Sequence, residues 1–237
     1  MGIPAFWQSR KPIWGRRPEL LTLRFDEDLD LLLHPGHGVS VVEVRPARGR
    51  EHLAVERVRR ENADWLGEWE ATVPPDNEAS LPTWNEFARF MDQRQRAGQA
   101  LSMMIVVDGE IAGLVSVGAV ERGAMQLGVL GYWIAQKWAG KGITSLAVAA
   151  TIDLVLSELG LHRLEVNVRP ENVASLGLMR KLRLREEGYK PRYMHINGRW
   201  ADHIGFAVDR EDLIAMPRQS VVQSRLRASK GREGRRS

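Results

Sequence analysis

Apolar and polar residues follow regular periods along most of this chain, and the periods predict both strands and helices. Residues 39–45 alternate as in a half-buried strand, which should stop at Pro46 because proline cannot donate a ladder hydrogen bond. Apolar runs at 101–107 and 111–117 flank Asp108-Gly109, a strong hairpin signal. Four further strands are predicted over residues 125–135, 162–169, 184–189 and 201–208.

Four segments have the spacing of helices. Residues 51–66 form the first, and Thr83 to Glu86 has the form of a capping box that opens the second. The third, residues 142–159, should end at Gly160, and the fourth covers residues 172–181. One face of the third helix is apolar and contains Ile143, Ala147, Ala150, Thr151 and Leu154.

The order of these elements predicts an α+β fold with a mixed, mostly antiparallel sheet of six to seven strands and a single crossover helix. Residues 39–213 form the predicted domain. Residues 1–38, with a strand-like piece at 20–25, are expected to be an extension packed on that domain. Residues 214–237 are expected to be a basic, disordered tail, because so few apolar residues cannot bury enough surface.

Composition narrows the possible settings and chemistries. The chain has no cysteine, which excludes disulfides, thiolate nucleophiles and cysteine metal sites and suits a reducing cytoplasm. The N-terminal residues lack the apolar core of a signal peptide, and no apolar run approaches the roughly 20 residues of a membrane span. The sequence therefore predicts a cytoplasmic protein without membrane contact.

The net charge of +4 is unevenly distributed, because residues 216–237 carry +6 and leave −2 for the rest. Two interpretations of this basic tail remain open. It attracts RNA, for example ribosomal RNA, or it only keeps the protein soluble. Only the first predicts salt-dependent RNA binding that is lost on truncation at Met216.

A glycine-rich turn joins the strand at 125–135 to the third helix. A turn of this kind directs several backbone N–H groups to one point at the positive end of the helix dipole, where a pyrophosphate binds well. A P-loop is excluded, since residue 135 is Ala and Gly140-Lys141 is followed by Gly142 rather than Ser or Thr. A dinucleotide fingerprint is disfavoured by the late position in the chain. A turn that merely connects strand to helix remains an alternative.

The combination of this turn with Asn172-Val-Ala-Ser175 resembles the GCN5-related N-acetyltransferase (GNAT) superfamily over about residues 39 to 210. Lys137 departs from the Gln or Arg of the family pattern. A narrower resemblance, to the RimJ-type ribosomal-protein alanine N-acetyltransferases, is carried by four short segments in order along the chain: residues 42–46, 61–66, 69–72 and 200–203. The resemblance implies helices on both sheet faces, splayed fourth and fifth strands, acetyl-CoA as co-substrate, and a protein N-terminal amine as acceptor.

The resemblance also implies which residues bind acetyl-CoA. The pantetheine arm would lie beside Trp133 and Ile134, with a backbone N–H near Ile134 facing the thioester carbonyl. Asn172 would hydrogen-bond the same arm, although it fits equally well as a helix N-cap. The pyrophosphate would contact the turn and the helix start, formed by Lys137, Trp138, Ala139, Gly140, Lys141, Gly142, Ile143 and Thr144. No metal is implied.

Catalytic groups are harder to assign. Ser175 resembles the family serine that protonates the CoA sulfur. The places where relatives carry a glutamate or tyrosine hold Asn167, Met179 and Met194, so no strong base stands out. His195 and His203 are the remaining base candidates, and structural roles for both are open. The residues expected to form the acceptor cleft are Trp65, Trp69, Glu70, Asn167 and Asp202.

The pKa values of amines indicate which kind of acceptor is favoured. An α-amine has a pKa of about 7.7 to 8.0, whereas a lysine amine near 10.4 is almost fully protonated at neutral pH. An enzyme without a strong base should prefer N-termini, with a ribosomal protein as the candidate. Three alternatives stay open: acetylation of an aminoglycoside or polyamine, an RNA- or ribosome-binding protein that has lost turnover, and an acetyl-CoA sensor. The sequence leaves monomer and homodimer undecided.

Overall fold

Eight strands form one open sheet in the computed structural model, which describes residues 11–75, 83–217 and 220–224. The strands are β1 Leu23–Phe25, β2 Val42–Pro46, β3 Leu101–Val107, β4 Glu110–Glu121, β5 Leu127–Ile134, β6 Arg163–Val168, β7 Arg185–Ile196 and β8 Arg199–Asp209. Their order across the sheet is β1-β2-β3-β4-β5-β6-β8-β7. Only the β5–β6 pair is parallel among these described strands; the others are antiparallel.

Seven α-helices accompany the sheet within the same residues, and residues 221–224 form a further helical turn. The seven helices are α1 Leu29–Leu32, α2 Glu51–Glu61, α3 Ala63–Leu66, α4 Trp84–Arg96, α5 Ile143–Asp153, α6 Val173–Leu182 and α7 Arg210–Ile214. Short 3₁₀ segments lie at Pro18–Leu21, Gly67–Trp69 and Gln136–Trp138, and a π-helical turn, Leu154–Glu158, extends α5. The predicted capping box is confirmed, since Thr83 and Glu86 exchange both hydrogen bonds at the start of α4.

The α+β class is confirmed, and the sheet has one strand more than the six to seven predicted. The additional strand is β1, which lies in the extension and pairs with β2. β1 lies within the strand-like piece at residues 20–25, and its pairing with β2 sets its bounds. Pro46 belongs to β2 and lies opposite Met103, one residue beyond the predicted strand end.

The predicted helix at 51–66 is interrupted at Asn62. Its backbone leaves the helical region, with φ −111° and ψ 22°, and α3 begins at the next residue. The Asn62 side chain donates to the Val58 carbonyl at 2.9 Å and accepts from the Gln136 amide at 3.0 Å. A side chain that hydrogen-bonds the backbone in this way competes with helix continuation. The break therefore joins α2 and α3 to the turn after β5.

The splay of the predicted fourth and fifth strands, here β5 and β6, is confirmed. They pair at only three positions, Leu127 with Arg163 through Val129 with Glu165, and then diverge. On the other side of β5, the β4 ladder is irregular between Gly118 and Glu121. A bulge of this kind increases the local twist of the sheet. The result is a gap in the middle of the sheet.

The sequence predicts one apolar, buried face for the crossover helix α5, but the helix is buried on more than that face. Nine of its residues are buried, and it contacts β2, β4, β5 and α6. Gly160, with φ +80°, follows the π-helical turn and ends the segment as predicted. A helix that is apolar all round is typical of a position inside the core.

Both ends of the described chain pack on this core. Leu29, Leu32 and Leu33 of the extension are buried. From the segment expected to be a disordered tail, Val221 and Val222 are buried too, and their amides donate to the Asp153 carboxylate at 2.7 and 3.2 Å. Residues 220–224 are therefore ordered against α5, contrary to the predicted extent of the tail. Residues 1–10 and 225–237 lie outside the described residues.

Candidate active site

A cavity of about 390 Å³ opens where β5 and β6 separate. Residues of β4, β5, β6, α6, β7 and β8 line it, together with the segment after α3. Five of the side chains predicted for the site lie in its wall: Trp69, Asn167, Asn172, Ser175 and His203. The wall does not include Trp65, Glu70, His195 or Asp202 among its described residues. The fold thus brings together the Asn172–Ser175 motif and one of the two histidines.

The glycine turn lies at the far end of β5 from this cavity and leads into α5. Gly140 and Gly142 have φ values of +74° and +85°, a conformation that glycine adopts without strain. No side chain caps α5, so the N–H groups of its first turn lack a capping partner. The turn therefore presents unpaired donors at the positive end of a long buried helix, which suits a phosphate group.

The two lysines of the turn are already engaged. Lys137 forms an ion pair with Glu110, and its ammonium lies 5.0 Å from the centre of the Trp138 ring. Lys141 donates to the His37 carbonyl at 2.8 Å and lies 5.4 Å from the same ring. Both charges remain beside the turn, although neither amine is held free for a ligand.

The extension packs directly on the turn, a contact that the sequence did not predict. His34 Nδ1 lies 2.5 Å from the Gly140 carbonyl oxygen, and the His34 amide donates to the Lys141 carbonyl at 2.9 Å. A Cβ placed on Gly142 would lie 3.3 Å from the Leu33 Cα. The extension thus binds the carbonyl side of the turn and leaves its N–H side to other partners.

The end of β5 offers backbone groups to the gap. The Ala135 amide donates to the Ala112 carbonyl of β4 at 2.7 Å, and N–H groups alternate in direction along a strand. The amide of Ile134 therefore points away from β4. Its carbonyl accepts a hydrogen bond from Trp65 Nε1 at 3.1 Å, so Trp65 contacts the strand edge instead of the cavity wall. Trp133 packs against the small cluster of Ala47, Val55 and Met104.

Asn172 caps α6, and Ser175 lies in its first turn. The Asn172 side-chain oxygen accepts from the Ser175 amide at 3.0 Å, which leaves the Ser175 hydroxyl outside this bond.

Across the cavity wall, Tyr132 has a buried hydroxyl without a hydrogen-bond partner among the described residues. Burial raises the pKa of Tyr132 to about 12, and the neighbouring Ser175 hydroxyl partly offsets the rise. Tyr132 was missed as a site residue, although it precedes Trp133 in the predicted strand.

The two histidines have different surroundings. His203 is buried in the cavity wall, and its Nδ1 lies 3.1 Å from the Ala201 carbonyl. Because a carbonyl only accepts, Nδ1 carries the proton of the neutral ring and Nε2 keeps a free lone pair. Burial lowers the pKa of His203 below its usual value. His195 Nδ1 instead lies 2.8 Å from Thr72 Oγ1, which ties the β7–β8 turn to the segment after α3.

The carboxylates expected in the acceptor cleft are placed elsewhere. Glu70 forms an ion pair with Arg59, and Asp202 accepts from the Tyr189 hydroxyl and, at 2.7 Å, from the Arg192 amide. These partners hold both side chains outside the cavity wall. Asn167 does line the wall, where its side chain accepts from Lys190 Nζ at 3.0 Å.

A charged side chain that the sequence did not single out lies in the wall. Arg169 follows β6 and is 6% exposed. Its Nη1 donates to the Glu68 carbonyl at 2.9 Å, and its Nε pairs with Glu171 at 3.2 Å. The guanidinium also stacks over the Trp69 ring at 5.3 Å. Its position after a strand and before Pro170-Glu171 gives no pattern from which this contact could be predicted.

Metal-binding clusters and membrane-spanning helices are both absent from the described residues. No group of three or more His, Cys, Asp or Glu side chains there could hold a metal ion. None of the helices in this part of the chain combines the length and apolar character needed to cross a bilayer.

Comparison with known proteins gives consistent matches. Residues 44–185 match the model of the acetyltransferase (GNAT) domain. The chain is 30% identical over 171 residues to the [ribosomal protein uS5]-alanine N-acetyltransferase of Escherichia coli, covering 71% of this chain and 88% of that protein. It is 37% identical over 101 residues to the probable N-acetyltransferase YjcK of Bacillus subtilis, a match that spans 56% of that protein.

A solved structure is similar over most of the chain. The structure of Mycobacterium smegmatis RimJ in complex with CoA-disulfide has a TM-score of 0.71 and 33% identity, and the match covers 84% of this chain and 92% of that one. The matched share includes more than the 142 residues of the domain model, so the likeness reaches beyond the domain alone.

Proposed function

Because the chain belongs to the GNAT acetyltransferase family and is an acetyl-CoA-dependent N-acetyltransferase, we propose that its acceptor is the N-terminal α-amine of a protein, in particular a ribosomal protein. The observation that carries the proposal is the cavity between β5 and β6. It is closed by the Asn172–Ser175 motif and, among its described lining residues, contains no carboxylate. The relatives named as ribosomal-protein N-acetyltransferases support the choice of acceptor.

The residues present fit acetyl-CoA, which supplies an activated acetyl thioester. The uncapped start of α5 and the two left-handed glycines would hold the pyrophosphate by main-chain N–H groups. The Ile134 amide, which points into the gap, would hold the pantetheine arm and face the thioester carbonyl. Lys137 and Lys141 contribute positive charge beside the turn.

The chemical step uses few groups. The acceptor amine forms a bond to the acetyl carbon as the carbon–sulfur bond breaks, so one proton leaves nitrogen and the thiolate gains one. Ser175, beside the buried Tyr132 hydroxyl, would give the sulfur its proton. His203 is held neutral with a free Nε2 and would take the amine proton, directly or through water.

The His195 interaction with Thr72 favours a positioning role. Its Nδ1 holds the β7–β8 turn against the segment that carries Trp69. That segment and turn would then form one side of the entrance to the cavity. Glu70 and Asp202, each satisfied by its own partners, would contribute to the surroundings of the entrance and not to the amine pocket.

Acetylation of a small polycation is the second candidate. Aminoglycosides and polyamines are cations, and a site for them needs carboxylates in its wall. The described wall instead contains Arg169 as its charged side chain. This arrangement favours an amine that arrives neutral.

A direct assay distinguishes these functions. Thiol release from acetyl-CoA would be followed with a peptide that begins with Ala, the same peptide with a blocked N-terminus and an internal lysine, and spermidine. We expect turnover with the free N-terminus and rates lower by about 100-fold or more with the other two, because their amines are almost fully protonated or blocked. Turnover with spermidine but not with the free peptide would refute the proposal. No thiol release with any of the three amines would favour a binding protein without turnover.

The cellular role is tested separately. Mass spectrometry of protein N-termini in cells with and without this protein should show a loss of acetylation confined to one or a few proteins, ribosomal ones among them. The cytoplasmic location and RNA contact through the basic tail, residues 216–237, stay predictions, and the choice between monomer and homodimer stays open.

A further inference from the structure

The wall of the cavity has an unusual electrostatic character for a site that accepts an amine. Amines are cations in water below their pKa, so a binding site for the protonated form would be expected to offer negative charge. The described lining residues include one cation, Arg169, and neither Asp nor Glu.

Arg169 is fixed in the wall by several contacts. Its Nε pairs with Glu171 and its Nη1 donates to the Glu68 carbonyl, while the guanidinium plane stacks on the Trp69 ring. The side chain is 6% exposed, so its charge acts through a region of low water content.

Neighbouring charges partly offset that of Arg169. Glu171 neutralises part of the charge, but its side chain is 58% exposed and is screened by water. Lys190 adds a second cation on the same side, beside Asn167 of the wall, and is paired with Glu165 at 3.6 Å. Asp202 faces outward to Tyr189 and Arg192.

Arg169 and His203 line the same cavity. Burial is the largest effect on the pKa of His203 and lowers it, whereas the hydrogen bond to the Ala201 carbonyl raises it. The charge of Arg169 lowers this pKa as well, and Glu171 and Asp202 each raise it by a smaller amount. A second titratable group in the same cavity, the acceptor amine, is exposed to the same charge.

We infer that Arg169 determines which amines this site accepts, because its guanidinium favours the neutral form of a bound α-amine and excludes polycations. The inference rests on the proposed function. A like charge nearby disfavours protonation, and a shift of about one pKa unit makes the neutral amine about tenfold more abundant below its pKa. Arg169 thus increases the fraction of bound amine that is neutral, which reduces the need for a carboxylate base. It is a specificity-determining residue and takes no proton itself.

The test compares Arg169→Met, which removes the charge, with Arg169→Lys, which keeps it. Single-turnover acetylation of an Ala-initiated peptide would be measured against pH at saturating peptide, with each enzyme preloaded with acetyl-CoA. The acidic limb then reports the bound amine. In the wild type and in Arg169→Lys we expect this limb about one unit below the pKa of the free peptide, determined by NMR titration. In Arg169→Met we expect it to return to the value of the free peptide.

Substrate choice gives a second readout. Arg169→Met should raise the rate with spermidine relative to the peptide by about tenfold, and Arg169→Lys should leave the ratio unchanged. Repeating the pH series in His203→Gln separates the amine from the histidine, because a limb due to the amine persists there. Binding of CoA measured by calorimetry shows that each variant is folded.

The possible results are distinct. The inference is overturned without any variant if the acidic limb of the wild-type pH profile lies at the pKa of the free peptide. It is also overturned if the limbs of Arg169→Lys and Arg169→Met are displaced by the same amount. If the wild type acetylates spermidine and no peptide, the proposed function fails and the inference fails with it. If peptides are acetylated while the limbs coincide, only the inference about Arg169 fails.

Discussion

Ser175 and Tyr132 meet at the point where β5 and β6 have just separated. Ser175 comes from the first turn of α6, and its amide is fixed by Asn172, so the hydroxyl is directed by the helix start instead of by a flexible loop. The Tyr132 hydroxyl is buried and its pKa is raised to about 12, so it stays protonated at neutral pH. Both neutral hydroxyl groups line the same cavity as His203.

We predict that Ser175→Ala reduces kcat by about 100-fold and changes the KM for acetyl-CoA by less than about threefold, because the hydroxyl acts on the leaving thiolate and the Asn172 cap is kept. Steady-state kinetics with an Ala-initiated peptide measure this. Ser40→Ala, an exposed serine in a distant loop, is the matched control. Equal kcat in the two variants would assign proton transfer to water or to Tyr132.

Prediction at the residue scale succeeded where a local rule governs the residue. The Thr83–Glu86 box and the helix end at Gly160 follow from hydrogen bonding and steric rules that act within a few residues. Glu70 and Asp202 were expected in the acceptor cleft, and the structure pairs each with a partner elsewhere. A sequence shows that a carboxylate is present, whereas its direction depends on which partner folding brings close.

At the element scale, the start of α5 shows how three segments build one site. The glycine turn supplies the N–H groups, β5 supplies the strand edge, and α1 with the residues after it closes the carbonyl side of the turn. His34 makes the decisive contacts, with its ring to Gly140 and its amide to Lys141. Its Nε2 also lies 3.2 Å from Lys181 Nζ, which joins the extension to α6.

His34→Ala is predicted to raise the KM for acetyl-CoA and the Kd for CoA by about fivefold, since one hydrogen bond that holds the turn is worth about 1 kcal/mol, while kcat with saturating acetyl-CoA stays within about twofold. Calorimetry with CoA and steady-state kinetics test this. His162→Ala, at a distant surface position, serves as the control. An unchanged Kd would mean that the turn keeps its shape without the extension.

The strands and helices were predicted mainly from periodicity, and the exceptions have physical causes. The break at Asn62 arises because its side chain bonds the Gln136 amide, 74 residues away. The additional strand β1 exists because β2 offers it an edge. The break at Asn62 does not appear in a window of neighbouring residues, because the partner that decides it is remote in sequence. For β1 the local sequence of residues 20–25 is strand-like, and the remote partner β2 decides that it joins the sheet.

At the scale of the whole molecule, α5 is the element at which the sheet meets residues 33–34 near one end of the described chain and residues 220–222 near the other. Its C-terminal residue Asp153 accepts from Ser220 Oγ at 2.7 Å and from the amides of Val221 and Val222. Burial raises the pKa of Asp153 despite these donors. The carboxylate thus holds residues 220–222 by hydrogen bonds, although its own burial is unfavourable. Val221 and Val222 are buried against the core.

Asp153→Ala should lower the free energy of unfolding by about 2–3 kcal/mol, because three donors, two of them main-chain amides, lose their acceptor. Urea unfolding followed by circular dichroism measures the change. Asp26→Ala removes an exposed carboxylate that pairs with Arg24 and should cost less than about 1 kcal/mol. Losses of equal size in the two variants would show that residues 220–222 pack without the help of Asp153.

The sequence alone determined the α+β class, the hairpin, the caps, the glycine turn before a buried helix and the family to which the chain belongs, since each depends on residues that are close together or in a fixed order. Only the tertiary structure decided that His34 closes the turn, that Tyr132 faces Ser175, that Arg169 and not a carboxylate lies in the cavity wall, and that residues 220–224 join the core. Those contacts join segments far apart in the chain, where burial and charge are set by the partner and not by the local pattern.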